Sequence, residues 1–290
     1  MLRKARMFMK TRIITGIVLV ALLIPVLIFS YTPIFAVMFT LLALVATWEM
    51  LKCVGTLKIM PAAIPSYIFT LVINAAAKFF MPHRDLFAWT YIAAVFFYFV
   101  SLAVYALFSK GKFTVDNLFA TFGGVFYVAS SFAALILLRE SYLGEYLYLL
   151  AMFIPWMNDT FAYFTGVFFG KHKLIPDISP KKTVEGSVGG IVFGGIFAVV
   201  FVWIMLGKHG YGATPIQYLG VFAASAVVSI LSQIGDLVAS LIKRRYGVKD
   251  YGCIFPGHGG VLDRLDSVLM TSPIILVFSF LLQYISVHKL

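Results

Sequence analysis

Ser187-Val-Gly-Gly-Ile-Val-Phe-Gly-Gly-Ile-Phe-Ala-Val-Val-Phe-Val-Trp-Ile-Met-Leu206 contains no ionisable side chain. A helix of about 20 residues rises about 30 Å, the thickness of the hydrocarbon core of a bilayer. Working outward, similar apolar runs occupy 13–30, 34–51, 61–80, 86–109, 117–137 and 146–169 before it, and 215–241 and 262–287 after it. This pattern predicts an all-α, polytopic integral membrane protein of about nine transmembrane helices. The run 61–80 is the weakest, because Pro61, Pro65 and Lys78 interrupt it. Composition agrees: 61% of residues are hydrophobic, 12% are charged and mean hydropathy is +0.97. A soluble domain carries roughly 25% charged residues. This chain could not cover a surface facing only water.

Orientation follows from the basic residues. With the N-terminus inside, Arg3, Lys4, Arg6, Lys10, Arg12, Lys52, Lys58, Lys110 and Lys112 fall inside, as do Lys171, Lys173, Lys181, Lys182, Lys243, Arg244, Arg245, Lys249 and Arg264. Outside remain Lys78, Arg84, Arg139, Lys208 and Lys289. Within the first 150 residues alone the division is nine to three, so the cytoplasmic N-terminus does not depend on basic residues kept for chemistry. No small-x-small cleavage site follows the basic start, so the first run is expected to stay as a span. The net charge of +11 suits anionic headgroups and phosphates, and no nucleic-acid partner is expected. Cys53 and Cys253 offer no disulfide framework.

Acidic residues divide the chain by purpose. Residues 1–150 hold Glu49, Asp85, Asp116, Glu140 and Glu145, mostly at span ends, and are read as a transmembrane scaffold with dimer contacts. Residues 151–290 hold Asp159, Asp177, Glu185, Asp236, Asp250, Asp263 and Asp266, and are read as the catalytic region with loops at the cytoplasmic face.

Three segments carry chemistry. Asp159, within Trp156-Met-Asn-Asp-Thr-Phe-Ala-Tyr-Phe-Thr-Gly166, lies inside an apolar run, where a carboxylate is costly unless paired or bound to a cation. The alternative is a structural, hydrogen-bonded Asp near a helix end. In Lys171-His-Lys-Leu-Ile-Pro-Asp-Ile-Ser-Pro-Lys-Lys-Thr-Val-Glu-Gly186, Lys181 and Lys182 stand between the hydroxyls of Ser179 and Thr183, just before a helix. Point charges and free N–H groups suit phosphate oxygens, although an ordinary positive-inside loop would look similar. Glu185 would cap that helix or reach a lysine. Gly186, Gly190 and Gly194 share one helix face and are read as packing positions.

The third segment runs from Ser232 to Asp266. Asp236, Ser240 and Lys243 share a helix face, placing a carboxylate below a basic helix end. Lys243 to Arg245 could equally snorkel to headgroups. Pro256-Gly-His-Gly-Gly260 cannot be a stable helix and forms a loop that can turn backbone N–H groups to a ligand. Asp263 and Asp266 project to one side of the last span and, with Asp236, form a cluster that a cation would neutralise. Oxygen-only ligation favours Mg²⁺ over Zn²⁺. His258, without partner histidines, is read as a loop or phosphate hydrogen-bonder.

The pattern Ser240-x-x-Lys243-Arg244, Lys249-Asp250 and Pro256-Gly-His-Gly-Gly-x-x-Asp263-Arg264-x-Asp266 closely resembles the signature of phosphatidate cytidylyltransferases (CDP-diacylglycerol synthases). Asp159-Thr-Phe-Ala-Tyr-Phe-x-Gly166 and Ser179-Pro-Lys-Lys-Thr-x-Glu-Gly186 resemble that family too. The resemblance is sharp over about 150–270, whereas 1–150 match only in hydropathy.

The resemblance implies that CTP and phosphatidate give CDP-diacylglycerol and pyrophosphate, in a homodimer of the inner cell membrane whose site faces the cytoplasm. It implies a divalent cation such as Mg²⁺, with a second ion such as K⁺. Asp236 and Asp263 match the metal-site carboxylates, and Asp266 and Asp159 are auxiliary members. Ser179, Lys181, Lys182, Thr183 and Lys249 match nucleotide or phosphate contacts, with Lys249 joining Asp236 and Asp263 in the catalytic set. Glu185 and His258 are placed with the substrate-binding residues. Lys243, Arg244 and Arg264 are assigned to the phosphatidate headgroup. A CTP-dependent polyprenol kinase and an ion-coupled transporter stay open as other readings. A CDP-alcohol phosphotransferase is disfavoured because its Asp-Gly-x-x-Ala-Arg run is missing, and a UbiA-type prenyltransferase because Ala162 stands where a second Asp is needed.

Overall fold

The computed structural model describes residues 2–80 and 83–288, without the side chains of 2–13, 84 and 285–288. Arg3, Lys4, Arg6, Lys10, Arg12, Arg84 and Lys289, all used above for orientation, lie outside the described side chains. The order is α1 (Leu2–Ile28), α2 (Pro33–Cys53), α3 (Met60–Phe79), α4 (Arg84–Phe108), α5 (Val115–Glu140), α6 (Gly144–Phe169), β1 (Lys173–Ile175), β2 (Ser179–Thr183), α7 (Val184–Lys208), α8 (Pro215–Arg245) and α9 (Leu262–His288). Each apolar run expected from sequence coincides with one of the nine helices in the described residues.

Seven of these helices are long and apolar enough to cross a bilayer. The described apolar stretch of α1, Ile14–Ile28, is shorter, and α6 carries Glu145, Asn158 and Asp159. The chain is an all-α polytopic membrane protein. Three helices start where a hydroxyl supplies the missing acceptor: Thr32 caps α2 ahead of Pro33, Thr114 caps α5 and Thr183 caps α7. Pro61 sits in the first turn of α3 and is harmless there, and Pro65 does not end the helix.

The chain forms two compact units, Met1–Glu145 with Arg245–Leu265, and Tyr146–Arg244 with Asp266–Leu290. In the first, α5 packs against α2, α3 and α4. Ser131 to Leu138 are buried without a break, as expected of a helix surrounded by others. Side-chain hydrogen bonds cross this bundle: Thr47 with Thr70 (3.0 Å), Ser66 with Tyr98 (3.0 Å), and Thr121 to Thr56 (3.0 Å). One end carries Ser30, Lys78, Arg139 and Glu140, where Arg139 Nε donates to Ser30 (3.0 Å) and Lys78 pairs with Glu140 (2.6 Å). The other end gathers Thr15 of α1, the close of α2 and the segment 245–265.

In the second unit, the glycine face of α7 permits close approach. A Cβ at Gly190 would lie 2.7 Å from the Asn158 carbonyl of α6, and one at Gly194 would lie 2.6 Å from Ser229 Oγ of α8. Phe161 stacks on Phe193 with centroids 4.5 Å apart. The packing role read from the glycine spacing describes what these residues do.

Candidate functional site

Residues 171–183, expected as a loop, form a short antiparallel hairpin pairing Lys173 with Thr183 and Ile175 with Ser179. Pro176 and Asp177 lie in the connection, which Ile178 N closes onto Ile175 O (3.3 Å). β2 then runs directly into α7, whose N-cap Thr183 accepts from Gly186 N (3.1 Å). Alternation along β2 leaves Lys181 exposed and Lys182 half-buried, with Ser179 half-buried as well. Glu185 takes the capping role expected of it: its carboxylate accepts from its own backbone N–H in the first turn of α7. It accepts from the backbone N–H groups of Lys171 (3.1 Å) and His172 (3.2 Å) and contacts the His172 ring (2.6 Å). Its role is to hold the hairpin's entry against the helix start.

Lys182 reaches α8, where its ammonium lies 2.5 Å from an Asp236 oxygen. Around this pair runs a polar chain within the second unit. Ser187 donates to Gln233 Oε1, Gln233 Nε2 donates to Asn158 Oδ1 (2.8 Å), and Asn158 Nδ2 donates to Asp159 (3.1 Å). Ser267 Oγ donates to the other Asp159 oxygen (3.2 Å). α6, α7, α8 and α9 each contribute a polar side chain.

Charges of both signs interact in this group. Asp159 is repelled by Asp236 and attracted by Lys182. Asp266 is repelled by Asp236 and Asp159 and attracted by Lys243. Three carboxylates thus face two ammonium groups. The donors are oxygen-only, the chemistry that hard cations such as Mg²⁺ take. Among the described residues no three His, Cys, Asp or Glu side chains converge as one ready-made ligand set. Mg²⁺ is usually held by one or two carboxylates together with substrate phosphates and water, so the residues present fit such an ion. Arg244 is exposed at the end of α8 in this unit.

Asp263, Lys249, His258 and Arg264 belong to the first unit. Lys249 and Arg264 are exposed, and Asp263 is buried. The Pro-Gly-His-Gly-Gly turn closes through Phe255 N to Gly259 O (2.9 Å) and His258 N to Phe255 O (2.8 Å). Gly257 (φ 78°) and Gly259 (φ 84°) take left-handed conformations that favour glycine. Thr15 Oγ1 donates to Pro256 O (3.1 Å), tying the turn to α1.

The N–H groups at the end of the turn and just after it meet carboxylates of the chain itself. Asp263 Oδ2 accepts from Tyr251 N (2.8 Å) and Gly260 N (3.0 Å). Glu49 accepts from Val261 N (3.0 Å) and Leu262 N (2.8 Å). The chain's own carboxylates occupy the donors at the start of α9.

Sequence reasoning missed Glu49 and underused Asn158, Gln233 and Ser267. Asn158 and Gln233 were legible as amides inside apolar runs. Glu49 had a weaker signal, an ionisable residue within a span, and was passed over as lying near the span's end.

Comparison with known proteins adds an independent finding. Residues 10–282 match the model of the "Cytidylyltransferase family". The chain is 34% identical over 272 residues to the phosphatidate cytidylyltransferase of Bacillus subtilis (strain 168), covering 91% of this chain and 95% of that protein. It is 31% identical over 282 residues to the protein of that name from Staphylococcus haemolyticus, covering 92% and 97%. For the Staphylococcus aureus (strain COL) protein of the same name, identity is 32% over 278 residues, covering 92% and 97%.

Proposed function

Since the chain belongs to the cytidylyltransferase family, we propose that it transfers CMP from CTP to phosphatidate, yielding CDP-diacylglycerol and pyrophosphate. The observation that carries this reading is the second unit's group of Asp159, Asp236 and Asp266 against Lys182 and Lys243. Such a group can exchange counter-charges with phosphates and a cation.

The chemistry asks little of a general base. A phosphatidate oxyanion attacks the α-phosphorus of CTP, a new P–O bond forms, and the bridging α–β P–O bond breaks to release pyrophosphate. The obstacle is bringing two polyanions together in line. Lys182 would leave Asp236 for the nucleotide phosphates, joined by Lys181, Ser179 and Thr183, and Lys249 would add positive charge to them. Lys243, Arg244 and Arg264 would draw the phosphatidate headgroup while its acyl chains stay in lipid. Asp236 would hold Mg²⁺, with Asp266 and Asp159 in support, and the motif position of Asp263 proposes it as a ligand. A bound ion of this kind screens phosphate charge and fixes oxygen geometry. K⁺ as second ion, the homodimer, and an inner-membrane site open to the cytoplasm are further parts of the proposal, supported by the motif resemblance and the basic-residue count.

The test is direct. Purified chain in mixed micelles with phosphatidate and Mg²⁺ should move label from [α-³²P]CTP into a lipid whose mass is that of CDP-diacylglycerol. Label from [γ-³²P]CTP should stay in water. Lipid labelled from the γ position would point to a kinase, and no labelled lipid at all would sink the transferase reading.

A further inference from the structure

We propose that Glu49 is a positioning residue of the transfer reaction, whose buried carboxylate fixes the first turn of α9 and with it Asp263 and Arg264. The inference rests on the reaction proposed above.

Glu49 lies near the end of α2 and is 0% exposed. Its two oxygens are divided between consecutive amides, Val261 N at 3.0 Å and Leu262 N at 2.8 Å. These are N–H groups at the start of α9, which no residue inside the helix can satisfy. The site is shaped for a carboxylate. A methyl group at Gly252 would approach Glu49 Cδ to 2.9 Å, and one at Gly260 would approach it to 2.5 Å. Both glycines therefore leave room that the Glu49 head occupies.

The neighbouring carboxylate makes the arrangement specific. Asp263 takes Tyr251 N and Gly260 N, so Glu49 and Asp263 bind the successive amides of Gly260, Val261 and Leu262 between them. The two negative side chains repel each other, and buried like charges are retained only where donors hold them. A glutamine in place of Glu49 would keep the size but turn one NH₂ group toward a backbone N–H. Only a group with two acceptor ends meets both amides. Glu49 touches no substrate position, so its effect passes through the start of α9, where two of the proposed functional side chains sit.

Full-length chain carrying Glu49→Gln or Glu49→Ala, in lipid nanodiscs, separates this role from a general one in folding. Hydrogen exchange of peptides spanning 250–265 is expected to quicken in both variants, with the α5 peptides unchanged. The kcat should fall, about tenfold for Gln and up to about a hundredfold for Ala, the scale of an ångström-level misplacement. The KM for phosphatidate should rise as kcat falls, since Arg264 is displaced with the turn, while the KM for CTP stays within about twofold of the parent. Parent-like exchange at 250–265, or parent-like kcat in Glu49→Ala, would overturn the proposal. So would an equal loss of protection throughout the helices, which would make Glu49 merely structural. Inactive parent chain would instead remove the reaction reading, while the exchange measurement still reports whether Glu49 holds the loop.

Discussion

The two units hold their carboxylates by opposite means. In the first, Glu49 (0% exposed) and Asp263 (9% exposed) lie against backbone N–H groups, which are fixed dipoles. In the second, the exposed Asp159 and the half-buried Asp236 and Asp266 repel one another, and their counter-charges are the long side chains of Lys182 and Lys243. Fixed dipoles set geometry and cannot leave. An ammonium on a four-carbon stem can swing away when a better cation or a phosphate arrives. The first arrangement therefore reads as a clamp, and the second as a set of exchangeable charges.

The largest expected effects come from removing one charge on each side. Asp236→Asn should lower turnover by about 10²–10³ or more, on the scale of losing an electrostatic contact to the reacting groups. Its thermal midpoint should stay close to the parent, because Lys182 can re-solvate. Asp263→Ala should lose comparable activity and also cost about 1–3 kcal/mol of stability, since Tyr251 N and Gly260 N, which both donate to Asp263 Oδ2, would lose their acceptor. Activity assays paired with thermal unfolding of both variants check this. Greater destabilisation by Asp236→Asn would reverse the roles given to the two units.

A smaller effect sharpens the idea of exchangeable charge. Lys182→Ala should raise the KM for CTP by about tenfold, as expected for one charge-assisted contact of about 1.5 kcal/mol, with a lesser change for phosphatidate. The same variant should bind Mn²⁺ more tightly in a paramagnetic-resonance titration, because Asp236 has lost the ammonium 2.5 Å away that competes with the ion. Weaker Mn²⁺ binding would mean that Lys182 organises the site and does not compete for it. A larger rise for phosphatidate would exchange the nucleotide and lipid assignments.

Much of this was legible in the sequence because it repeats or because it is rare. Apolar runs of bilayer length located the nine helices of the described residues, and the spacing of Gly186, Gly190 and Gly194 gave the packed face of α7. The cost of a carboxylate inside an apolar run singled out Asp159, and helical spacing set Asp236 on one face with Ser240 and Lys243. What stayed hidden depends on partners without a side-chain signature. Glu49 is explained by amides at Val261 and Leu262, over two hundred residues later, and an amide looks the same at every position. Glu185 was half legible for a similar reason: its place in the first turn of α7 suggested a cap, but its further donors are the backbone N–H groups of Lys171 and His172. The hairpin 173–183 was too short and too polar to produce a period-two signal.

The smallest effect is expected where charge is neither clamped nor exchangeable in the reaction. Lys78 and Glu140 pair at 2.6 Å with side chains 20% and 30% exposed, at the end of the first unit that also holds Ser30 and Arg139. The attraction is offset by the entropy of ordering two long side chains and by screening, so partly exposed pairs contribute about 0–1 kcal/mol. Lys78→Ala should shift stability by less than about 1 kcal/mol and leave kcat and both KM values at parent levels. Thermal unfolding and steady-state kinetics of this single variant check it. A loss approaching that of Asp263→Ala would mean that proximity to a countercharge, and not the kind of partner, decides what a carboxylate does in this protein, and the contrast between clamp and exchangeable set would fail.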